Sequence, residues 1–345
     1  MLKLLWRKLR PWLPWAGVLV LLLLLIQAVH PAALWAALLK AQLWLLLPIL
    51  ACGLLGLLLR GIRWHLLLQA IGAPNTMLDS IILFTAAQSA VLLPGGQFLL
   101  PVLQRSEHGT AIRRSAPTIL VQELIFGLLM LPAALPGVPP YHPAGWMLLA
   151  ALVFNAGTGI FLLQSRVLNW ALGLVSRVPF IRDHVHNLSE LQQHFVLVAR
   201  SPAVIWGTVF DMGTIALSGL GFYLSLLAVH ATHITWIDAT AIYALGSSVG
   251  TLSALPGGLG ANEDVSTLVL GHMGVTVGQA AAGTLLFRVV NLIMNTAVGW
   301  AVLLLARRRL NVHPSPAGLA NAVRGAEQKT LQGPASGAAP ERALQ

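Results

Sequence analysis

Glu263 and Asp264 are adjacent carboxylates in a chain of which only 9% is charged, and they follow a run built to break a helix. Leu255-Pro256-Gly257-Gly258-Leu259-Gly260-Ala261-Asn262 sets a proline, three glycines and an asparagine before them, with apolar sequence entering from Thr240 and leaving toward Leu270. Glycine allows positive φ and close backbone approach, so Gly257, Gly258 and Gly260 suit a chain that enters, breaks and turns back. Asn262 can cap the returning helix, and Glu263 and Asp264 then fill its first turn, where the helix dipole favours negative charge. Two carboxylates exceed what one cap requires. One of them is expected to meet a cation, either an arginine of the protein or a cationic headgroup.

Arg288 is the obvious arginine. It lies 11 residues into an apolar run that starts at Val277, hence ~17 Å from that end at ~1.5 Å per residue and near the middle of a ~30 Å hydrocarbon core. Thr284, Arg288, Asn291 and Asn295 recur at helical spacing and share one face. A guanidinium at that depth needs a partner or water. Two readings stand: an anchor for the phosphate or carboxylate of a lipid headgroup, and a structural ion pair with Glu263, Asp264 or Asp211. Both hold if substrate replaces the internal partner. Asp211 belongs to a second polar stripe with Thr208, Thr214 and Ser218, while Glu123 stands beside Gln122 in another apolar run. Intramembrane carboxylates can relay protons. The alternative is polar contact between helices at ~0.6–2 kcal/mol each, which is favoured for Glu123 and left open for Asp211.

Other chemistry finds less support. His184, His186 and His194 accompany Arg182 and Glu190 on an amphipathic segment, read as a solvated or headgroup-facing helix, and no cysteine or further paired carboxylate completes a metal site. Cys52 is the only cysteine, so there is no disulfide framework. Nucleophile-elbow, phosphate-loop and zinc signatures are missing, and no cofactor is expected.

The elements that must position these residues are membrane helices. With 57% hydrophobic and only 9% charged residues, against about 25% charged in soluble domains, the chain reads as an all-α polytopic membrane protein. Six full spans are expected. The first, Trp12–Val29, follows a basic start but lacks a small-x-small cleavage site, so it stays uncleaved. The second, Gln42–Leu59, ends in Arg60-Gly61-Ile62-Arg63-Trp64, read as a cytoplasmic interface with Trp64 at headgroup level. Ser115–Leu135, Gly145–Gln164, Ala203–Val229 and Val277–Ala306 complete the set. Between them lie two half-length pairs, expected as re-entrant helical hairpins. The first enters at Thr76, breaks at Leu93-Pro94-Gly95-Gly96 and returns into basic chain from Arg105, so it opens to the cytoplasm. The second, about Thr240–His272, opens outward. Residues 1–310 form this membrane domain, and 311–345, rich in Ala, Gly, Pro and Gln, form a disordered cytoplasmic tail.

This layout puts all of the 21 Lys+Arg except Lys40 and Arg288 in cytoplasmic segments, with both termini inside. Such asymmetry is the positive-inside pattern. It accounts for a net charge of +10 through anionic inner-leaflet lipid rather than nucleic acid. Leu93-Pro94-Gly95-Gly96 also recurs as Leu255-Pro256-Gly257-Gly258, 162 residues later. Span, hairpin, span, repeated upside down over about 42–136 and 203–306, is the inverted-repeat plan of many secondary transporters.

Leu255-Pro256-Gly257-Gly258-Leu259-Gly260, then Glu263, then Arg288 in the next helix, resembles the hallmark of the lysylphosphatidylglycerol synthase transmembrane-region family of flippase-like proteins. Arg60, Arg63-Trp64, Leu67-Leu68 and Gly72 are similar to that family's segment after its second span. The resemblance covers roughly residues 10 to 306. It implies a lipid-handling membrane domain acting on aminoacylated phosphatidylglycerol, other phospholipids or lipid-linked carriers. The first repeat departs, since Gln97-Phe98-Leu99-Leu100 stands where members show an acidic step and then a basic residue, leaving Arg105 as the basic candidate. The soluble aminoacyl-transfer domain of some members is not expected here.

Three functions follow. The first is a transporter moving a phosphate-bearing lipid between leaflets of the cell's inner membrane, with Arg288, Glu263, Asp264, Asn262, Asp211 and Asn291 at the substrate. The second is a membrane enzyme or enzyme subunit acting on a lipid-linked glycoconjugate or aminoacyl-lipid, with Glu263 or Asp264 as acid and base. The third is an assembly partner of a lipid-synthesis complex. Two-sided symmetry favours transport, because chemistry on one leaflet does not need it.

Overall fold

A computed structural model of the protein describes residues 35–306, apart from 37, 74, 92–95, 168–184, 254–257 and 259. The expected first span, the C-terminal tail, Pro94, Gly95, Pro256 and Gly257 lie outside the described residues. Among those described the chain is all-helical, without a strand. Long helices are α1 (Leu46–Ala70, led in by a 3-10 turn at Leu43–Leu45), α4 (Ile112–Ala134), α5 (Pro143–Leu163), α7 (Ala203–Ala228) and α10 (Val277–Leu305). All five are long and apolar enough to cross a membrane, and the protein is a polytopic membrane protein. Shorter helices are α2 (Met77–Ala87), α3 (Leu99–His108), α6 (Val185–Ala199), α8 (Trp236–Leu252) and α9 (Ala261–His272).

Polar side chains mark several helix starts. Thr76 accepts a hydrogen bond from the Asp79 amide at 3.1 Å to begin α2. Thr235 and Asp238 cap α8 reciprocally, the Asp238 amide donating to Thr235 Oγ1 and the Thr235 amide to Asp238 Oδ2. This box was present in the sequence, and α8 accordingly starts at Trp236 rather than Thr240.

Hydrogen bonds between helix ends fix the relative directions. The Gln42 amide donates to Ala228 O, and Gln279 Nε2 to Val229 O, so the starts of α1 and α10 meet the end of α7. Tyr141 packs its ring against His272 at the end of α9, 4.7 Å between centroids. At the other end of α1, Arg114 donates to Ile71 O at 2.7 Å and Asn75 Nδ2 to Gln104 Oε1 at 3.2 Å. The end of α1, the entry to α2, the exit of α3 and the start of α4 therefore gather together.

Two hydrophobic clusters fill the bundle. One joins the second half of α1 to α2, α3, α4, α6 and the end of α10, around Trp64, Leu83, Leu103 and Phe195. The other joins the end of α4 to α7, α8 and α9, around Phe222, Leu226, Ile242 and Leu270.

Two expectations need correction. The Arg60–Trp64 cluster does not end a span: α1 runs through it to Ala70, with Trp64 fully buried and Arg63 2% exposed. Burial is tolerated because Arg63 is ion-paired with Asp211 of α7, and His65 Nδ1 lies 3.2 Å from the Ser80 hydroxyl. Two of the basic residues counted toward the cytoplasmic side are thus inside the bundle. Nor is α6 merely a solvated or headgroup-facing helix, since Phe195 and Val198 are fully buried in the first cluster.

Candidate functional site

Where the two clusters meet, α1, α7, α8 and α10 leave a polar cavity of about 200 Å³. Small residues make it possible: Gly53 and Gly56 on α1 leave room opposite α10 and α7. From α10 come Arg288, Asn291 and Asn295, from α1 Arg60, from α7 Thr214 and Ser218, and from α8 Tyr243. Helical spacing accounts for the α10 set. Asn291 Nδ2 donates to Phe287 O at 3.1 Å, which leaves its carbonyl oxygen for other contacts.

Arg288 faces a carboxylate behind the cavity wall. Its Nε stands 2.9 Å from Glu263 Oε1, and the side chains are 23% and 5% exposed respectively, so the guanidinium is the member that reaches open space. Glu263 does two jobs. Its Oε2 accepts from the Gly260 amide at 2.7 Å, closing the first turn of α9, while Oε1 holds Arg288. The backbone beneath explains the glycines. Gly260 has φ 87° and is the cap itself. Gly258 has φ 65°, and a Cβ there would stand 2.9 Å from Gly250 Cα on α8. A left-handed residue pressed against another backbone admits only glycine comfortably.

The remaining candidates divide. Asn262 is not the cap; it sits inside the first turn of α9, where Nδ2 donates to Ser247 of α8 at 3.5 Å and Oδ1 accepts from Ser266 at 3.4 Å. It ties α9 to α8 because Gly260, two residues earlier, has already taken the left-handed turn. Asp264 is exposed and does not line the cavity. Asp211 is bound to Arg63, the two side chains 1% and 2% exposed, and is closed to any ligand. Of the three carboxylates offered as partners for Arg288, Glu263 is the one in contact.

Arg60 is the cavity residue that sequence reasoning misplaced. It lines the cavity with Arg288, its guanidinium carbon 4.9 Å from the centre of the Phe126 ring. A signal existed: Leu66-Leu67-Leu68 follows the Arg60–Trp64 cluster, so the apolar run resumes beyond it. A larger cavity of about 380 Å³, between α4, α7 and the start of α8, is lined by apolar side chains with Thr240 and carries no charge.

A search among curated proteins returns no match. A family model does, over residues 12–299, and it takes in every element described above up to the last turn and a half of α10. Its description is the lysylphosphatidylglycerol synthase TM region, and the chain belongs to that family.

Proposed function

We propose that the protein moves a phosphate-bearing lipid between the leaflets of the cell's inner membrane, holding the headgroup in the cavity of Arg60 and Arg288. The observation that carries this reading is the pair of arginines on different helices lining one polar cavity within an apolar bundle. Guanidiniums present planar forks suited to phosphate oxygens, and intramembrane cations in transport proteins face substrate pathways.

The layout supports the same reading. Helices α2 and α3, of 11 and 10 residues, and α8 and α9, of 17 and 12, fall short of the roughly 20 residues needed to span a bilayer. Each pair is interrupted at a Pro-Gly-Gly break and flanked by long helices. The first gathers its ends with the end of α1, and the second ends near the starts of α1 and α10. Two re-entrant hairpins opening on opposite sides, in an inverted repeat with both termini cytoplasmic, account for this arrangement. An acid–base role for Glu263 fits less well, because both its oxygens are engaged by Gly260 and Arg288.

Translocation of headgroup-labelled phospholipid in proteoliposomes tests the proposal. Arg288→Lys keeps the charge opposite Glu263 and its thermostability, yet loses the fork, and the rate should fall about tenfold. Arg288→Ala should lose both rate and stability by leaving Glu263 buried without its counter-charge. Wild-type translocation by Arg288→Lys, with Arg288→Ala simply unfolded, would make the residue structural.

A further inference from the structure

We infer that the cavity selects net-anionic phosphate headgroups and rejects aminoacylated ones that carry a net positive charge. The inference rests on the reading of the cavity as a headgroup site and goes further in naming what that site accepts.

The charges around the cavity carry the argument. Two guanidiniums line it and no carboxylate does. No acid near the cavity enters its lining: Glu123 of α4, within electrostatic reach of Arg63 and Asp211, is exposed and stands outside it, and the other two are committed. Glu263 is divided between the Gly260 amide and Arg288, and Asp211 is sealed against Arg63. Arg60 forms no ion pair with any described residue, and its guanidinium carbon lies over the Phe126 ring. The neutral lining adds the hydroxyls of Ser218 and Tyr243 and the amide of Asn295.

Arg288 is balanced by Glu263 but Arg60 has no ion pair with a described residue, so the cavity keeps a positive charge that an anion accepting from both guanidiniums would offset. A phosphate with one or two negative charges meets this condition. A lysyl ester adds two ammoniums and turns the net charge positive, and these would meet Arg60 with no carboxylate in the lining to receive them. Like-charge juxtaposition of this kind is how a site rejects a wrong ligand. Displacing Glu263 from Arg288 would not help the ammonium, since Glu263 lies behind the guanidinium and is 5% exposed.

The chain supplies its own reporter. Cys52, the single cysteine, is buried and lines the same cavity. The full chain in maltoside micelles is treated with a small methanethiosulfonate, and both the rate of Cys52 modification and the thermal unfolding midpoint are followed. Four compounds are compared: inorganic phosphate, dioctanoyl phosphatidic acid, dioctanoyl phosphatidylglycerol and its lysyl ester. The anionic lipids should slow modification and raise the midpoint at concentrations about tenfold below any effect of the lysyl ester. Arg60→Gln, which removes no ion pair, should weaken that protection about tenfold, whereas Arg166→Gln at an exposed position should leave it unchanged. Inorganic phosphate matching the lipids would identify a soluble phosphate as the ligand of the same site, and protection by the lipids alone would identify the headgroup. A lysyl ester that protects as well as its parent lipid overturns the selectivity and leaves the transport reading standing. If neither readout responds to any anion while proteoliposomes still translocate lipid, the cavity is not the anion site.

Discussion

Gly96 and Gly258 stand 162 residues apart, each the second glycine of a Pro-Gly-Gly break, and each sits where a side chain has no room. A Cβ on Gly96 would overlap the carbonyl of Ala90, and one on Gly258 would press on Gly250 of α8. The backbone device is shared. The chemistry is not. After the second break Glu263 closes the first turn of α9 and holds Arg288 on α10. After the first, α3 starts at Leu99, and Phe98 before it supplies no side-chain cap. Counting 162 residues back from Glu263 and Arg288 reaches Pro101 and Phe126. The first half therefore lacks this ion pair at matching positions. It contributes an aromatic surface instead, and Arg60 of α1 lies over it. Close backbone approach is common to both halves, while the charge pattern differs between them.

The comparison breaks most severely at the glycines. Gly96→Ala forces backbone to move at Ala90 and should cost at the upper end of point-substitution effects, about 4–5 kcal/mol. Gly258→Ala adds a left-handed penalty of about 1–2 kcal/mol to its own clash. Loss of monodisperse protein in both would show one structural device used twice. A well-folded Gly96→Ala would mean that the first break does not need its close approach.

Next in size is the ion pair between α1 and α7, which has no role at the ligand. Asp211→Ala strands Arg63 in the interior and should lower stability by about 3–5 kcal/mol, read as thermal unfolding in detergent. Arg63→Met together with Asp211→Leu should restore most of that loss and keep the cavity's response to anions. If the double variant is stable and yet no longer responds, the pair takes part in binding after all.

The smallest effect sharpens the contrast between halves. Phe126→Leu keeps an apolar side chain but removes the ring beneath Arg60, a contact worth about 0.5–2 kcal/mol. Anion protection of Cys52 should weaken about threefold to tenfold with unfolding little changed. Unaltered protection would show that the ring merely fills space.

Much of this was legible in the chain. The long helices from Ile112, Pro143, Ala203 and Val277 begin and end within three residues of their expected spans. The reason is that a run of about 20 apolar residues in lipid has little alternative to a helix that satisfies its own backbone. Arg288 opposite a carboxylate of the second break was equally readable, since a guanidinium at that depth requires a counter-charge or water. Which carboxylate it meets was not. Asn262 looked like the cap because its residue type prefers that position, but Gly260 turned the chain first and left Asn262 to reach Ser247.

Sequence by itself therefore determined the solvent, the long helices, the two breaks and the presence of unpaired-looking charge in the apolar runs, because each follows from local composition and period. Only the tertiary structure decided where α1 ends and which arginine reaches the cavity. Arg60 and Arg63 read alike as the edge of a span. Arg63 meets Asp211, 148 residues away, and is neutralised within the bundle, while Arg60, less than one turn earlier, has no ion pair with a described residue, lies over the Phe126 ring and opens on the cavity. A charge is admitted to the interior by its partner, and partners brought together by folding leave no mark at the local sequence.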